Sequence, residues 1–209
     1  MVPLLRRLMP AFLLLPATFA AAAAQTVCDG LAPMGLLPPA GGFTFGCSQH
    51  FTLKLGAALG PDGNYILLSY PSCANGPCGG QTGLTLLQCA ATSGYDCCVS
   101  SAQTIPTITG TNIATLVAGL DQRIANDSDT RAAICFSDYA GNGARVGSVP
   151  LIQFIGLDRS QAQVTGFLRF FLVGPPSGSA QSTTIPVEFI SDPTPTLDST
   201  WGRLKLLYR

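Results

Sequence analysis

The residues that could do chemistry in this sequence centre on a single histidine. His50 is the only imidazole in the chain, so a Ser-His-Asp or Cys-His catalytic arrangement would have to use it. Cys47 lies three residues before it and could bring a thiol near the ring. A zinc site would need further thiolate or imidazole ligands, and disulfide formation would consume the sulfur atoms. We therefore assign no catalytic residue and no metal ligand.

Carboxylates offer two further possibilities. Glu188 is the only Glu, and no pair of acids stands in a motif for glycoside hydrolysis. Because it alternates with apolar neighbours, we predict that Glu188 lies on the solvent side of a strand. Asp121, Asp127 and Asp129 could hold calcium, but their spacing differs from that of the twelve-residue loop that ends in Glu. A solvated turn after a helix explains them more simply, and we assign no cofactor.

Eight cysteines suggest up to four disulfides if the compartment is oxidising. Spacing leaves the pairing open, with two constraints. Cys97 and Cys98 are adjacent and should bond to two different partners, and the loop from Cys73 to Cys78 is short enough to close on itself. A redox-active pair at Cys97 and Cys98 would lack a thioredoxin-like context. The candidates for structural disulfides are Cys28, Cys47, Cys73, Cys78, Cys89, Cys97, Cys98 and Cys135.

The first 24 residues read as a signal peptide. Arg6 and Arg7 precede an apolar run over residues 8–19, and alanines fill residues 20–24, which predicts cleavage near Ala24. A retained anchor is the rival interpretation, but the run is interrupted by prolines and is shorter than the about 20 residues that a spanning helix needs. No later segment is long and apolar enough to cross a bilayer. We expect a secreted or periplasmic protein, with association with the cell surface as an alternative.

Composition excludes two broad classes of protein. The chain has 209 residues, of which 47% are hydrophobic and 11% are charged, which is too apolar for a disordered chain. Eleven basic residues balance eleven acidic ones, so there is no basic surplus to neutralise the phosphates of a nucleic acid. Loss of Arg6 and Arg7 with the signal peptide would leave the mature chain slightly acidic.

The pattern along the chain indicates many short strands and one helix. Apolar residues at offsets 0, 3, 4, 7 and 11 from Ile113 predict a helix over 111–125, capped by Thr111 or Asn112 and weakened at Gly119 by about 1 kcal/mol. Turns are predicted at 60–64 and 141–143. Predicted strands cover 51–55, 65–70, 84–89, 132–136, 149–155, 163–173, 184–190 and 204–208.

These elements predict a mainly β fold, a β-sandwich or mixed antiparallel sheet, with one packed helix and disulfide staples. An extended N-terminal segment over 25–50 leads into a single β-rich domain over 51–209. The runs 149–155 and 164–172 should pair as an antiparallel hairpin, with a bulge or close backbone approach at Gly166. Arg123 can favour the carbonyl end of the helix dipole and could pair with Asp121, Asp127 or Asp129, so we predict a structural role for it.

Five stretches resemble the extracytoplasmic domain of TadE/TadG-like pilus-assembly proteins. They are 109–112 (TGTN), 119–124 (GLDQRI), 139–146 (YAGNGARV), 149–152 (VPLI) and 164–172 (VTGFLRFFL). The resemblance covers roughly residues 51–190 and implies a minor pilin or assembly factor of Tad-type (Flp) pili. That family carries a pilin-like N-terminal membrane helix with an acidic residue, whereas residues 1–24 here contain no acid. An accessory role is therefore expected in place of one in the filament core.

Three functions follow as expectations. The first is a non-enzymatic structural or accessory protein of the cell envelope, associated with Tad-like pilus assembly, whose partners are other envelope or pilus proteins. The second is a secreted carbohydrate- or ligand-binding module, with aromatic side chains lining an exposed groove. The third is a hydrolase that uses His50. The aromatic candidates for the groove are Phe43, Phe45, Phe51, Tyr65 and Tyr70.

Overall fold

The computed structural model describes residues 25–39, 42–46, 50–55, 64–70, 76–108, 113–177 and 183–190. The predicted signal peptide over 1–24, the turn residues 60–63 and the predicted strand over 204–208 lie outside these ranges. No helix within them is long and apolar enough to cross a membrane.

The described chain is mainly β, as the sequence predicts. Two α-helices are present, α1 (Gly83–Ser93) and α2 (Ile113–Ala125), with a short 3-10 turn at Phe136–Asp138. The strands are β1 (Thr26–Val27), β2 (Met34–Leu37), β3 (His50–Leu55), β4 (Asn64–Leu67), β5 (Val99–Ser100), β6 (Thr104–Pro106), β7 (Val146–Ile155), β8 (Gln161–Leu172) and β9 (Thr184–Ile190).

Seven of these strands form one mixed sheet in the order β6-β8-β7-β2-β4-β3-β9. β8 also pairs with β9, so six strands close into a ring. Most neighbours are antiparallel, whereas β2 with β7 and β3 with β4 are parallel. β1 and β5 form a separate antiparallel pair. The N-terminal segment 25–50 contributes β2 to the middle of the sheet, between β7 and β4.

The hairpin of β7 and β8 is confirmed, and so is the bulge beside Gly166. Leu151 pairs with Gly166, but the next pair joins Ile152 to Val164. Thr165 is therefore the extra residue, and its Oγ1 donates to the Leu151 carbonyl at 3.2 Å. A bulge of this kind bends a strand and increases its twist.

Residues 84–89 form part of α1, so the strand predicted there is wrong and the chain has a second helix. Leu87, Ala90 and Ala91 are its buried residues, which is helical spacing, and Leu, Gln and Ala are good helix formers. The predicted window of six residues was too short to show this period. Strand residues, α1 and α2 together form the largest apolar cluster, to which the helices contribute Leu87, Ala91, Leu116 and Leu120.

Residues 132–136 do not form the predicted strand. They run irregularly into the 3-10 turn. Ile134, with Phe136 and Tyr139 beside it, packs against Phe171 and Val173 of the β8 end. This segment therefore packs against one face of the sheet but is not one of its strands.

The crossing of α1 and α2 depends on Gly119. A Cβ atom on this residue would lie 2.6 Å from the carbonyl oxygen of Gln88 and would also overlap the Cβ of Ala91. Thr92 Oγ1 donates to the Gly119 carbonyl at 3.2 Å. The glycine that weakens the isolated helix is thus the residue that lets the two helices approach.

We expect Gly119→Ala to lower the free energy of unfolding by about 1–3 kcal/mol, because the clash with a helix backbone outweighs the gain in helix propensity of about 1 kcal/mol. Urea denaturation followed by circular dichroism measures this. Asp121→Ala, at an exposed position of the same helix, is the matched control and should be neutral or slightly stabilising. A Gly119→Ala protein as stable as the wild type would contradict the close approach.

Candidate functional site

The structure describes both cysteines of two disulfides. Cys28 bonds to Cys98 and Cys78 bonds to Cys89. Cys97 and Cys135 are also disulfide-bonded, so Cys97 and Cys98 take separate partners, as predicted. The disulfide considered between Cys73 and Cys78 does not form. Cys78, which precedes α1, bonds instead to Cys89 on that helix, with 5.7 Å between the Cα atoms.

These bonds remove thiols from the candidate chemistry. None of the six described cysteines is free, and a vicinal redox pair at Cys97 and Cys98 is excluded because Cys98 bonds to Cys28. Cys47 and Cys73 lie outside the described ranges. The backbone of His50 pairs with that of Glu188 across β3 and β9, but the His50 side chain is not among the described groups.

The aromatic residues proposed for a sugar-binding groove are mostly in the core. Tyr65 and Tyr70 are buried, at 0% and 3% exposure. Phe43 packs edge-on against Phe189, with 4.8 Å between ring centroids. Phe45 is exposed, and the side chain of Phe51 is not described. An aromatic platform made of these residues is therefore contradicted for both tyrosines.

A dense set of polar side chains lies between the end of α2 and the start of β7. We call it the polar cluster. Its members come from one continuous stretch of chain and bond to one another and to the backbone of that stretch. They are Arg123, Asp127, Asp129, Arg131, Tyr139 and Arg145.

Asp127 anchors the first half of the polar cluster. Its carboxylate accepts from the backbone N–H of Asp129 at 2.7 Å and of Arg145 at 3.2 Å, and from the hydroxyl of Tyr139. The Tyr139 oxygen in turn accepts from the Gly143 N–H at 2.7 Å. Burial, together with the hydrogen bond to Asp127, raises the pKa of Tyr139 to about 12. One carboxylate therefore fixes the backbone at Asp129 and Arg145 and the side chain of Tyr139.

Asp129 anchors the second half. It accepts from Nε and Nη2 of Arg131 at 2.8 and 2.6 Å, and from the Ala140 N–H at 3.1 Å. This two-pronged contact with the Arg131 guanidinium is the main reason that the pKa of Asp129 lies well below its usual range. The carboxylate is buried, whereas Arg131 is about half exposed.

The two buried arginines bond to carbonyl oxygens and not to carboxylates. Arg145 Nη2 donates to the carbonyls of Asp129 and Arg131, each at 2.8 Å. Arg123 donates to the carbonyls of Ala144 and Val146, and burial lowers its pKa to about 10. The ion pair considered between Arg123 and an aspartate therefore does not form. Arg123 plays a structural role at the end of α2, because its side chain donates hydrogen bonds to backbone carbonyls.

The aspartates considered for calcium are not arranged as a set of ligands. Asp121 is exposed on α2, whereas Asp127 and Asp129 are buried, so the predicted solvated turn is wrong. N–H and O–H donors occupy both buried carboxylates, and a cation would have to displace them. Within the described ranges no three His, Cys, Asp or Glu residues lie close enough to hold a metal.

Glu188 is buried, so its predicted place on the solvent side of β9 is also wrong. Its Oε2 accepts from the Phe136 N–H at 2.8 Å. The rings of Phe136 and Tyr139 lie 5.7 and 4.9 Å from that of Phe171, the register partner of Glu188 on β8. The segment that covers this face therefore also supplies the backbone donor that the buried carboxylate needs.

Sequence reasoning missed Tyr139 and Arg145 as members of the polar cluster. The available signal was the turn at 141–143 beside the aspartates. A Cβ on Gly141 would overlap Asp127 Oδ1 and the Tyr139 ring, so this position requires glycine. A shallow depression on α1 is lined by uncharged polar residues, which include Gln81, Thr85 and Gln88.

Comparisons with protein-family models, curated proteins and solved structures find no match to this chain. The polar cluster must therefore be interpreted from its own geometry. Its donors and acceptors mostly bond to each other and to nearby backbone, which is an arrangement that fixes a segment in place.

We expect the stability of the protein to fall in acid partly through Asp129. Because the folded-state pKa is lowered, the ionised carboxylate stabilises the fold above its unfolded pKa of about 3.9, and this contribution is lost as the pH falls through the lower folded value. Asp129→Asn should be less stable at pH 7 and should lose less stability below about pH 4. Urea midpoints measured across this range test it.

Asp121→Asn is the control for this pH series, because burial raises the pKa of Asp121. A raised pKa stabilises the protonated form of the folded state, so removing that carboxyl should not reduce the loss of stability in acid. Parallel acid profiles for the wild type and Asp129→Asn would show that the Arg131 contact does not contribute.

We expect Tyr139→Phe to lower the free energy of unfolding at neutral pH by about 1.5–3 kcal/mol, since a hydrogen bond to a charged group is lost. Tyr139 has a raised folded-state pKa, so its contribution is present below about pH 10 and is lost as the pH rises through about 12. The stability difference between wild type and variant should therefore narrow over this range. A difference that stays constant would contradict the donation to Asp127.

Proposed function

We propose that this chain is a non-enzymatic structural or accessory protein of the cell envelope that takes part in Tad-like pilus assembly. The observation that carries the proposal is that the buried polar side chains bond to the backbone of the chain itself. Asp127, Asp129, Arg145 and Glu188 are all buried, and each bonds to backbone groups of the chain itself. These side chains stabilise a shape and are not presented to a substrate.

The disulfides support the extracytoplasmic part of this proposal. Bonded cysteines persist in oxidising compartments and are rare in the cytosol. Six described cysteines are bonded, which is compatible with export through the predicted signal peptide.

Four of the five stretches that carry the pilus-assembly resemblance are neighbours in the fold, and the fifth, 109–112, lies outside the described residues. The resemblance is best over residues 109–173, a stretch that includes α2, the polar cluster and the β7–β8 hairpin. Arg123 of α2 bonds to the carbonyl of Val146, the first residue of β7. The four described stretches therefore belong to one bonded unit, because β7 also pairs with β8, and this supports comparing them as a unit.

The ligand-binding alternative has weaker support. It required aromatic side chains on an exposed groove, and Tyr65 and Tyr70 are core residues. What remains for it is exposed Phe45 and the neutral depression on α1. We therefore place the assembly role first.

We expect mass spectrometry of the native host to find the protein enriched with sheared surface filaments, compared with the periplasm and the culture medium. Removing the major pilin should abolish that enrichment if the protein is associated with the fibre. Free protein in the medium, with no filament proteins beside it, would contradict the assembly role and favour the secreted binding module.

A complementation experiment separates the assembly role from the hydrolase hypothesis. A deletion strain should lose surface pili, and His50→Ala should restore them as well as the wild type does if no catalysis is involved. Thermal unfolding and disulfide mapping of the variant show whether it is folded. A folded His50→Ala protein that fails to restore pili would contradict a non-enzymatic role.

A further inference from the structure

Gln25 is the first described residue and is fixed to the body of the protein. Its backbone N–H donates to Ser101 Oγ at 3.1 Å, and its carbonyl accepts from the Ser101 N–H at 2.7 Å. β1 follows immediately and pairs with β5, and the Cys28–Cys98 disulfide follows β1. The backbone position of residue 25 is therefore set by three successive attachments.

The side chain of Gln25 is free to react. The residue is exposed, and its carboxamide makes no hydrogen bond within the described part of the chain. Its Oε1 lies over Gly166, 3.7 Å from the place where a Cβ of that residue would be. Within the described part of the chain, the hydrogen-bond partner of the Gln25 nitrogen is a hydroxyl group and not a carboxylate.

We propose that signal cleavage after Ala24 makes Gln25 the N-terminal residue, and that Gln25 then cyclises to pyroglutamate. The neutral α-amine attacks the side-chain carbonyl carbon, a C–N bond forms to close a five-membered lactam, and the bond to the amide nitrogen breaks. One ammonia leaves with the transferred proton, and no oxidant or other reactant is needed. The inference rests on the export step of the proposed function.

Two features favour this reaction. An α-amine has a pKa of about 7.7–8.0, so a substantial fraction is neutral and nucleophilic at neutral pH when no carboxylate pairs with it. The product also keeps the hydrogen bond from the Ser101 N–H to the Gln25 carbonyl, because cyclisation leaves that carbonyl unchanged. Cyclisation removes the terminal charge and the free α-amine, which aminopeptidases other than those specific for pyroglutamate require.

Mass spectrometry of the N-terminal peptide of the exported protein tests the proposal. We expect the peptide to begin at residue 25 and to be lighter than its sequence by one ammonia, and pyroglutamyl aminopeptidase should remove that residue from the denatured chain. An isotope-labelled synthetic peptide beginning with uncyclised Gln25, added before digestion, measures how much lactam forms during handling. Only cyclisation above that level supports the proposal.

Gln25→Asn is the matched variant, since it keeps a carboxamide but is one methylene too short to close this lactam. It should be exported and cleaved at the same bond while retaining its full mass. A wild-type N-terminus at Gln25 without loss of ammonia would overturn the cyclisation and leave export intact. Cleavage at another bond would overturn it as well, and a chain that retains Met1 would contradict both the cyclisation and the proposed export.

Discussion

The architecture depends on the two edges of β8. One edge pairs with β7 along residues 161–171, whereas the other is shared, with β6 at residues 161–163 and β9 at residues 169–172. Because β9 pairs with β8, the six strands from β8 through β7, β2, β4 and β3 to β9 form a closed ring. An open edge would instead expose unpaired backbone groups. The bulge at Thr165 lies between the two shared segments, where a bend directs the halves of β8 toward different partners.

Closure of the ring determines where charge is buried. Pairing of β8 with β9 places Phe171 opposite Glu188, on a face covered by the irregular segment that contains Ile134, Phe136 and Tyr139. Irregular backbone cannot satisfy its polar groups through a ladder, yet buried N–H and C=O groups require partners. Arg123 and Arg145 supply donors to carbonyls, and Asp127, Asp129 and Glu188 supply acceptors. This explains why a chain with only 11% charged residues buries several of them.

Local patterns in the sequence were sufficient to predict α2, β3, β4, β7, β8 and β9, because each contains a periodic or continuous apolar run. The bulge at Gly166 was also predictable, since a glycine among branched and aromatic neighbours has few other uses in a strand. β1, β2, β5 and β6 were missed because they are short and depend on distant partners. The strand predicted at 84–89 was wrong for a different reason, since a pattern of only six apolar and polar residues fits a strand and a helix equally well.

The polar cluster was hidden from sequence reasoning by a physical assumption. Arg123, Asp127 and Glu188 were interpreted as solvated or ion-paired because charged side chains are rarely buried. That rule fails when the backbone itself is the partner, and no single-residue pattern reports a carbonyl that folding brings close. Gly141, beside the cluster, was the one sign of this crowding in the sequence, but a turn explained it equally well.

The segment that begins at residue 25 and the segment that carries the polar cluster are stabilised in different ways. The Cys28–Cys98 bond spans 70 residues, and restricting the unfolded chain over such a loop is worth about 4 kcal/mol. Residues 126–146 are held instead by hydrogen bonds to ionised groups, whose contribution varies with pH. The first constraint persists wherever thiols are oxidised, and the second wherever the Asp129 carboxylate stays ionised. One set of constraints therefore remains when the other is weakened.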